Sequence, residues 1–224
     1  MEIGKLLEDS FGYAKEGLLG NIGKWIILII LTILPVIPIL LSFLFFVPSL
    51  MTGTMPDFSA FIGVFIVAII AAIILSAFYV GYQMKILRGE APLPAVSGYG
   101  KLFSDGIKYL VIQLIYAIPV LIILGVTIGG AIMTAVSAGP NFEDILPIIG
   151  GVIAGIIIAL VVGIIIGLFA VIGLIRFART GSMGEAFNFG AILGTIRRIG
   201  WGHYILSLIV VVILVVVVSI VLGV

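Results

Sequence analysis

The chain has no cysteine, a single histidine and very little charge. Without thiols there is no disulfide, no Cys-ligated zinc or iron–sulfur centre and no thiol nucleophile. His203 has no second imidazole to share a zinc ion with, and beside Trp201 and Tyr204 it reads as an interfacial anchor. Charged residues make up 9% of the chain and hydrophobic ones 63%, whereas soluble domains carry roughly one-quarter charge. Lipid rather than water is therefore the implied solvent for most of the surface. A formal net charge of +1 offers no concentrated basic field, which argues against a nucleic-acid partner.

Asp, Glu, Lys, Arg and His are missing altogether from five long apolar segments: 25–47, 58–82, 109–136, 145–175 and 204–224. Each reaches the length of about 20 residues that a spanning helix needs. Membrane β-strands would alternate apolar and polar residues over about ten positions, a pattern that the run Ile209 to Val218 does not follow. The fold class expected is all-α: a polytopic transmembrane helical bundle of five spanning helices, forming one integral membrane domain over 1–224. The same absence disfavours proton- or ion-coupled carriers, which need ionisable groups at membrane depth. It also removes the paired intramembrane aspartates of an acid protease.

The 11 Lys and Arg residues fall in three clusters: Lys5, Lys15 and Lys24; then Lys85, Arg88, Lys101 and Lys108; then Arg176, Arg179, Arg197 and Arg198. The connections around Asp57 and around Glu143 and Asp144 carry acid and no base. By the positive-inside rule the N-terminus and the loops 83–108 and 176–203 are cytoplasmic, and the C-terminus lies outside the cell membrane. Trp25, Tyr82, Tyr109, Trp201 and Tyr204 then fall at the cytoplasmic interface, where aromatic belts form. Pro48, Pro56, Pro140 and Pro147 mark the outer ends, and Pro35, Pro38 and Pro119 are expected to kink the first and third spans. Some twenty residues rich in acid precede the first apolar run, so the start is read as a retained segment rather than a signal peptide.

Residues 1–24 place Ile3, Leu6, Leu7, Phe11, Ala14 and Leu18 on one helical face, which suits a helix lying in the cytoplasmic interface. The loop 83–108 repeats the theme with Leu102, Phe103, Ile107 and Leu110. The loop 176–203 does so with Ala186, Phe187, Phe189, Ile192, Leu193 and Ile196. This recurrence points to three parallel hairpin units, roughly 1–84, 85–175 and 176 onward, each a cytoplasmic amphipathic helix followed by spans, with the last unit incomplete.

Small residues recur every fourth position at Gly151, Gly155, Ala159, Gly163 and Gly167. Such a stripe lets another backbone approach closely; helix packing is the first reading, and a homo-oligomer seam or ligand-lined groove the second. Gly125 with Gly129, and Ala68, Ala72 and Ser76, extend the pattern to other spans. The intramembrane polar residues Ser76, Gln113 and Tyr116 serve either as interhelical glue or as the polar lining of a solute path. Arg88, Lys101, Lys108, Arg176, Arg179, Arg197 and Arg198 are orientation determinants first and contacts for anionic lipid or a partner protein second. Ser182 or Ser104 with Asp105 lacks a nucleophile motif, and Gly98-Tyr99-Gly100 lacks the lysine and strand of a phosphate loop. No catalytic, cofactor or metal residue is therefore assigned.

The stretch Tyr82 to Tyr116 contains Arg88, Gly89, Glu90, Pro92, Leu93 and Pro94, then Leu102, Phe103, Asp105, Gly106 and Lys108; a second stretch runs Arg176-Phe177-Ala178, Thr180-Gly181-Ser182 and Ala186-Phe187. These pieces resemble an uncharacterised polytopic membrane-protein family of archaea and some bacteria, domain of unknown function 4013. The resemblance covers most of the chain and implies a six-helix membrane protein; this chain departs from it by stopping after the fifth span. The family carries no assigned activity or catalytic residues, so none transfer. The function expected is a non-enzymatic membrane protein that binds or passes a small or amphipathic solute. The alternative is a scaffold whose basic cytoplasmic loops dock a partner protein or anionic lipid.

Overall fold

The computed structural model describes the backbone of residues 3–55, 57–138 and 142–222. Expectations resting on Pro56, Pro140 and Val224, and on the side chains of Leu6, Leu7, Glu143 and Asp144, lie outside the described residues. Among those described there is no strand. The chain divides into two compact units, residues 1–110 and 111–224, which are taken in turn.

Unit 1 begins with α1 (Ile3–Leu18) and α2 (Ile22–Ile33). The two meet at an elbow of 103°, made possible by Gly20, whose φ of 85° lies in the left-handed region open to glycine. Asn21 caps α2 by accepting from the Lys24 amide at 3.2 Å. The Trp25 indole donates to the Leu18 carbonyl at the end of α1, 3.0 Å away. Proline ends α2: Pro35 separates it from α3 (Val36–Ser42), and a 3-10 turn (Phe43–Phe46) leads into α4 (Val47–Thr52). The segment 25–47, expected as one kinked span, is thus a broken one.

Asp57 starts α5 (Phe58–Leu87) by accepting from the Ser59 and Ala60 amides at 3.0 and 3.1 Å. The N-terminal end of α5 is locked to the 3-10 turn by phenylalanines, with Phe61 lying 4.5 Å from Phe46 and Phe65 6.0 Å from Phe43 between ring centres. At its other end α5 crosses the first turns of α6 (Tyr99–Ala138) backbone to backbone. A methyl group added to Gly81 would overlap the Leu102 carbonyl, and one added to Gly106 would overlap that of Ala77. Two residues without side chains, one on each helix, therefore set how closely the pair approaches.

Unit 2 contains the rest of α6, then α7 (Phe142–Thr180), a 3-10 turn (Met183–Phe187), α8 (Phe189–Ile199) and α9 (Trp201–Leu222). A second elbow, of 89°, joins α8 to α9, again at a glycine with positive φ, Gly200 at 90°. Asn188 caps α8 by accepting from the Ala191 amide at 3.1 Å. The buried face of α8, Ile192 and Ile196, packs with Ile172 of α7 and Tyr204 of α9, and the Tyr204 hydroxyl donates to the Leu168 carbonyl at 2.6 Å.

Helix boundaries differ from the sequence reading, α5 for instance running on past Tyr82 to Leu87. The piece at Leu102 to Leu110 is not a separate interfacial helix but the start of α6, which runs unbroken through Pro119 for 40 residues. At about 1.5 Å per residue this is about 60 Å, twice the roughly 30 Å hydrocarbon core, so hydrophobicity marks only part of the helix. In the same way α7 continues past Ile175 to Thr180, beyond the charged Arg176.

Three helices, α5, α6 and α7, are long and apolar enough to cross a membrane, and the count reaches five if each elbowed pair, α1 with α2 and α8 with α9, is one span. Their outward faces are aliphatic: Val67 of α5 is 66% exposed, Ile164 of α7 58% and Val212 of α9 60%. Contiguous apolar surface on this scale is what lipid covers, and the architecture is that of a multi-pass membrane protein.

Gly81→Ala and Gly106→Ala should each destabilise the detergent-solubilised chain by about 1–3 kcal/mol, because the obstructing atoms are backbone. Gly129→Ala and Gly167→Ala, whose added methyl meets nothing within 4 Å, should stay within about 0.5 kcal/mol. Thermal unfolding followed by circular dichroism separates the two pairs; equal behaviour would refute the close crossing.

Candidate functional site

Leaving a helix exposes carbonyls, and where water is scarce these need donors from the protein. The connection between α5 and α6 shows how unit 1 supplies them. Tyr13 of α1 donates to the Glu90 carbonyl at 2.6 Å and Lys24 of α2 to that of Leu93 at 2.9 Å. From α5, Tyr82 donates to Pro94 at 3.1 Å, and Lys85 to Ala95 and Ser97 at 3.3 and 2.7 Å. Arg88 pairs with Asp105 across the same connection. Four donors from three helices thus hold one loop, and the buried Leu93 side chain is pressed against Gly17 of α1, where an added methyl would collide with it.

Above Leu93 the diverging helices leave a groove of about 450 Å³. Its walls are Leu28, Ile29 and Ile33 of α2 and Ile86 of α5, and its end at the elbow is closed by Leu18 and Trp25. The polar lining consists of Thr32, Tyr79, Tyr82 and Gln83. Three polar groups at the groove are already engaged: Trp25 with Leu18, Tyr82 with Pro94, and the Thr32 hydroxyl with the Leu28 carbonyl of its own helix at 2.9 Å. The Tyr79 hydroxyl and the Gln83 amide, four residues apart and so on one face of α5, have no hydrogen-bond partner among the described residues. The lining contains no Asp, Glu, Lys, Arg or His. It is an apolar slot with two uncommitted neutral polar groups, the composition of a ligand site.

In unit 2, Tyr116 borders a smaller cavity of about 250 Å³ with Phe169, Phe187 and Phe189. Its hydroxyl donates to the Ala186 carbonyl in the turn after α7, which holds that turn against Gly173, where an added methyl would meet both groups. The other candidate polar residues are placed differently: Gln113 is exposed, and Ser76 donates to Ile73 of its own helix at 2.6 Å. Of the small-residue stripe, Gly155 lies against Thr127 of α6, Ala159 is buried and Gly163 faces Val120, while Gly151 and Gly167 face open space. Thr127 and Gly151 also flank a third cavity, of about 350 Å³. Tyr79 and Gln83 were not singled out from the sequence as a pair; their spacing of four at the end of a span was the signal.

The charged candidates divide in two. Arg88 bonds Asp105, and Arg176 bonds Glu185, which also accepts from Asn188 at 3.4 Å. Lys101, Arg179, Arg197 and Arg198 are exposed, and Lys108 is half-buried. His203 is exposed as well. Among the described residues no group of three His, Asp or Glu comes together that could hold a metal ion.

Hydrogen bonds from Arg176 and then Asn188 hold the Glu185 carboxyl below its ordinary value of 4.5. A depressed carboxylate contributes stability that is present above the ordinary value and lost as the pH falls through the lowered one. Unfolding midpoints of the solubilised chain should therefore fall on acidification below about pH 4.5. Glu185→Gln should fall less over that range and start lower at pH 7. An unchanged pH profile in Glu185→Gln would remove this ion pair from the account.

Neither a curated protein nor a solved structure matches the chain. A family model described as "Protein of unknown function (DUF4013)" matches residues 64–224, from the second turn of α5 through α9. That match covers well over half the chain, and the protein belongs to the DUF4013 family.

Proposed function

We propose that this is a non-enzymatic membrane protein that binds an amphipathic solute in the unit 1 groove, either to hold it or to pass it on. The observation that carries this reading is an apolar slot of about 450 Å³ with uncommitted polar groups on one wall. A site of that size lies within the range of about 300–1,000 Å³ typical for small-molecule ligands. The groove lies beside an amphipathic helix that leaves Phe11 74% exposed; such a helix suits the interface, where an amphiphile would enter.

The reading assumes five spans with the N-terminus and the loops 83–108 and 176–203 in the cytoplasm. It also assumes three parallel units. Two features support the units. Amphipathic helix, positive-φ glycine, elbow and tryptophan recur at Gly20 with Trp25 and at Gly200 with Trp201. Near the C-terminal ends of α5 and α7 an arginine bonds an acid in the connection that follows or just beyond it, Arg88 to Asp105 and Arg176 to Glu185. In the second unit the matching helix, α6, is continuous through Gly106, where the close approach of α5 occupies the glycine.

A second reading, a scaffold for anionic lipid or a partner protein, has its own support. Arg179, Arg197 and Arg198 are exposed and have no ion-pair partner among the described residues. Replacing all three with Gln should lower retention of phosphatidylglycerol by the detergent-purified protein at least tenfold under that reading and leave it unchanged under the first.

Two experiments test the proposal. A chain without cysteine accepts single reporters directly: Ser97→Cys and Arg198→Cys should react with an impermeant maleimide from the same side, and Thr54→Cys from the opposite one. Narrowing the groove with Ile29→Phe should reduce binding of a long-chain amphiphile to the purified protein at least tenfold, read by native mass spectrometry. Binding that ignores Ile29→Phe would overturn the groove as the site.

A further inference from the structure

We infer that the groove selects an amphiphile with one hydrocarbon chain and an uncharged, hydroxyl-bearing head, of the class of monoacylglycerols and long-chain alcohols; this rests on the amphipathic-solute reading above. Three observations lead there. The volume, about 450 Å³, lies in the lower half of the range for ligand sites, which suits one chain and a small head. The wall contains no ionisable side chain, so a carboxylate or phosphate would lose its water without gaining a counter-charge, a heavy penalty in an apolar slot. The cations next to lining residues in the chain are engaged with carbonyls of the loop: Lys24 donates to Leu93, and Lys85 to Ala95 and Ser97.

What remains open in the slot defines the head. Tyr79 offers a hydroxyl that donates and accepts, and Gln83, one turn further along α5, offers a carbonyl and an NH₂. A neutral hydroxyl group reciprocates both, donating to one and accepting from the other. Bare hydrocarbon would leave the two polar groups unmatched. Among apolar ligands of similar length, the two side chains therefore favour the one that carries hydroxyls.

The test uses the full chain with Trp201→Phe, so that Trp25 in the groove is the only tryptophan. Trp25 quenching is titrated in detergent with dibromostearoyl monoglyceride and with dibromostearate, at a pH where the acid is ionised. The expected result is at least tenfold tighter quenching by the monoglyceride. Tyr79→Phe and Gln83→Leu should each remove several-fold of that preference, read as the ratio of monoglyceride to stearate quenching. Tyr79→Phe deletes a single oxygen, and its circular dichroism serves as the folding control. Equal or tighter quenching by stearate, as when Lys24 turns to an anionic head, overturns the inference, and so does a preference that survives both substitutions. If Ile29→Phe still blocks both probes, only the choice of head group has failed. If Ile29→Phe blocks neither, the groove reading fails with it.

Discussion

A chain that leaves a helix within or beside a bilayer exposes carbonyls that no water is at hand to bind, and this constraint determines where the polar side chains of the protein go. Tyr13, Lys24, Trp25, Tyr82, Lys85, Tyr116 and Tyr204 all donate to backbone carbonyls of another segment or of a connection. The hydroxyls of Thr32, Ser42, Ser76, Thr127, Thr134 and Ser207 turn back to the carbonyl three or four residues earlier in their own helix. A donor used in this way both removes its own polarity from the lipid and fixes the segment whose carbonyl it meets. Loop position and helix position are therefore solved together: removing Lys24 or Tyr82 would free not only a side chain but the Leu93 and Pro94 carbonyls that hold the groove floor.

Glycine sets the other half of the geometry, in two distinct ways. At Gly20 and Gly200 it permits a backbone turn of about a right angle, so that an amphipathic helix can leave the axis of the apolar helix that follows. At Gly81 and Gly106 it permits contact between backbones. At that crossing α6 runs on as a continuous helix through Gly106.

Much of this was legible in the sequence because lipid imposes rules on composition. Long segments free of charge announced helices, the amphipathic stretch at the start became α1, and Pro35 ended a helix. The limits of the helices were not legible, since hydropathy reports the solvent around a helix and not its hydrogen bonding. Lys101, Asp105 and Lys108 were expected around a short interfacial helix apart from the span, yet they occupy the first turns of α6. Spacing alone also misjudged which small residues matter. The stripe on α7 packs only at its centre, whereas Gly81 and Gly106, neither of them part of a small-residue stripe, meet backbone; a contact between separate segments has no local signal. The phenylalanines between 43 and 65 lock two segments for the same reason without any periodic signature.

The candidate site shows why function was harder to read than fold. Polar residues at membrane depth are all equally conspicuous in a sequence, and Ser76, Gln113 and Tyr116 drew notice on that ground. What separates a structural polar group from a recognising one is whether its hydrogen-bonding capacity is already taken, and that is a property of the fold. Tyr116 is fully occupied with Ala186 and so shapes a turn. Tyr79, of the same residue type and also within a span, has its hydroxyl unmatched and faces a cavity. A hydroxyl and an amide left unmatched are at no cost while water reaches them, but a ligand that covers them must match them or lose about 1–3 kcal/mol for each. Under the proposed reading, Tyr79 and Gln83 therefore discriminate among ligands, whereas Tyr116 and Tyr82 position the chain.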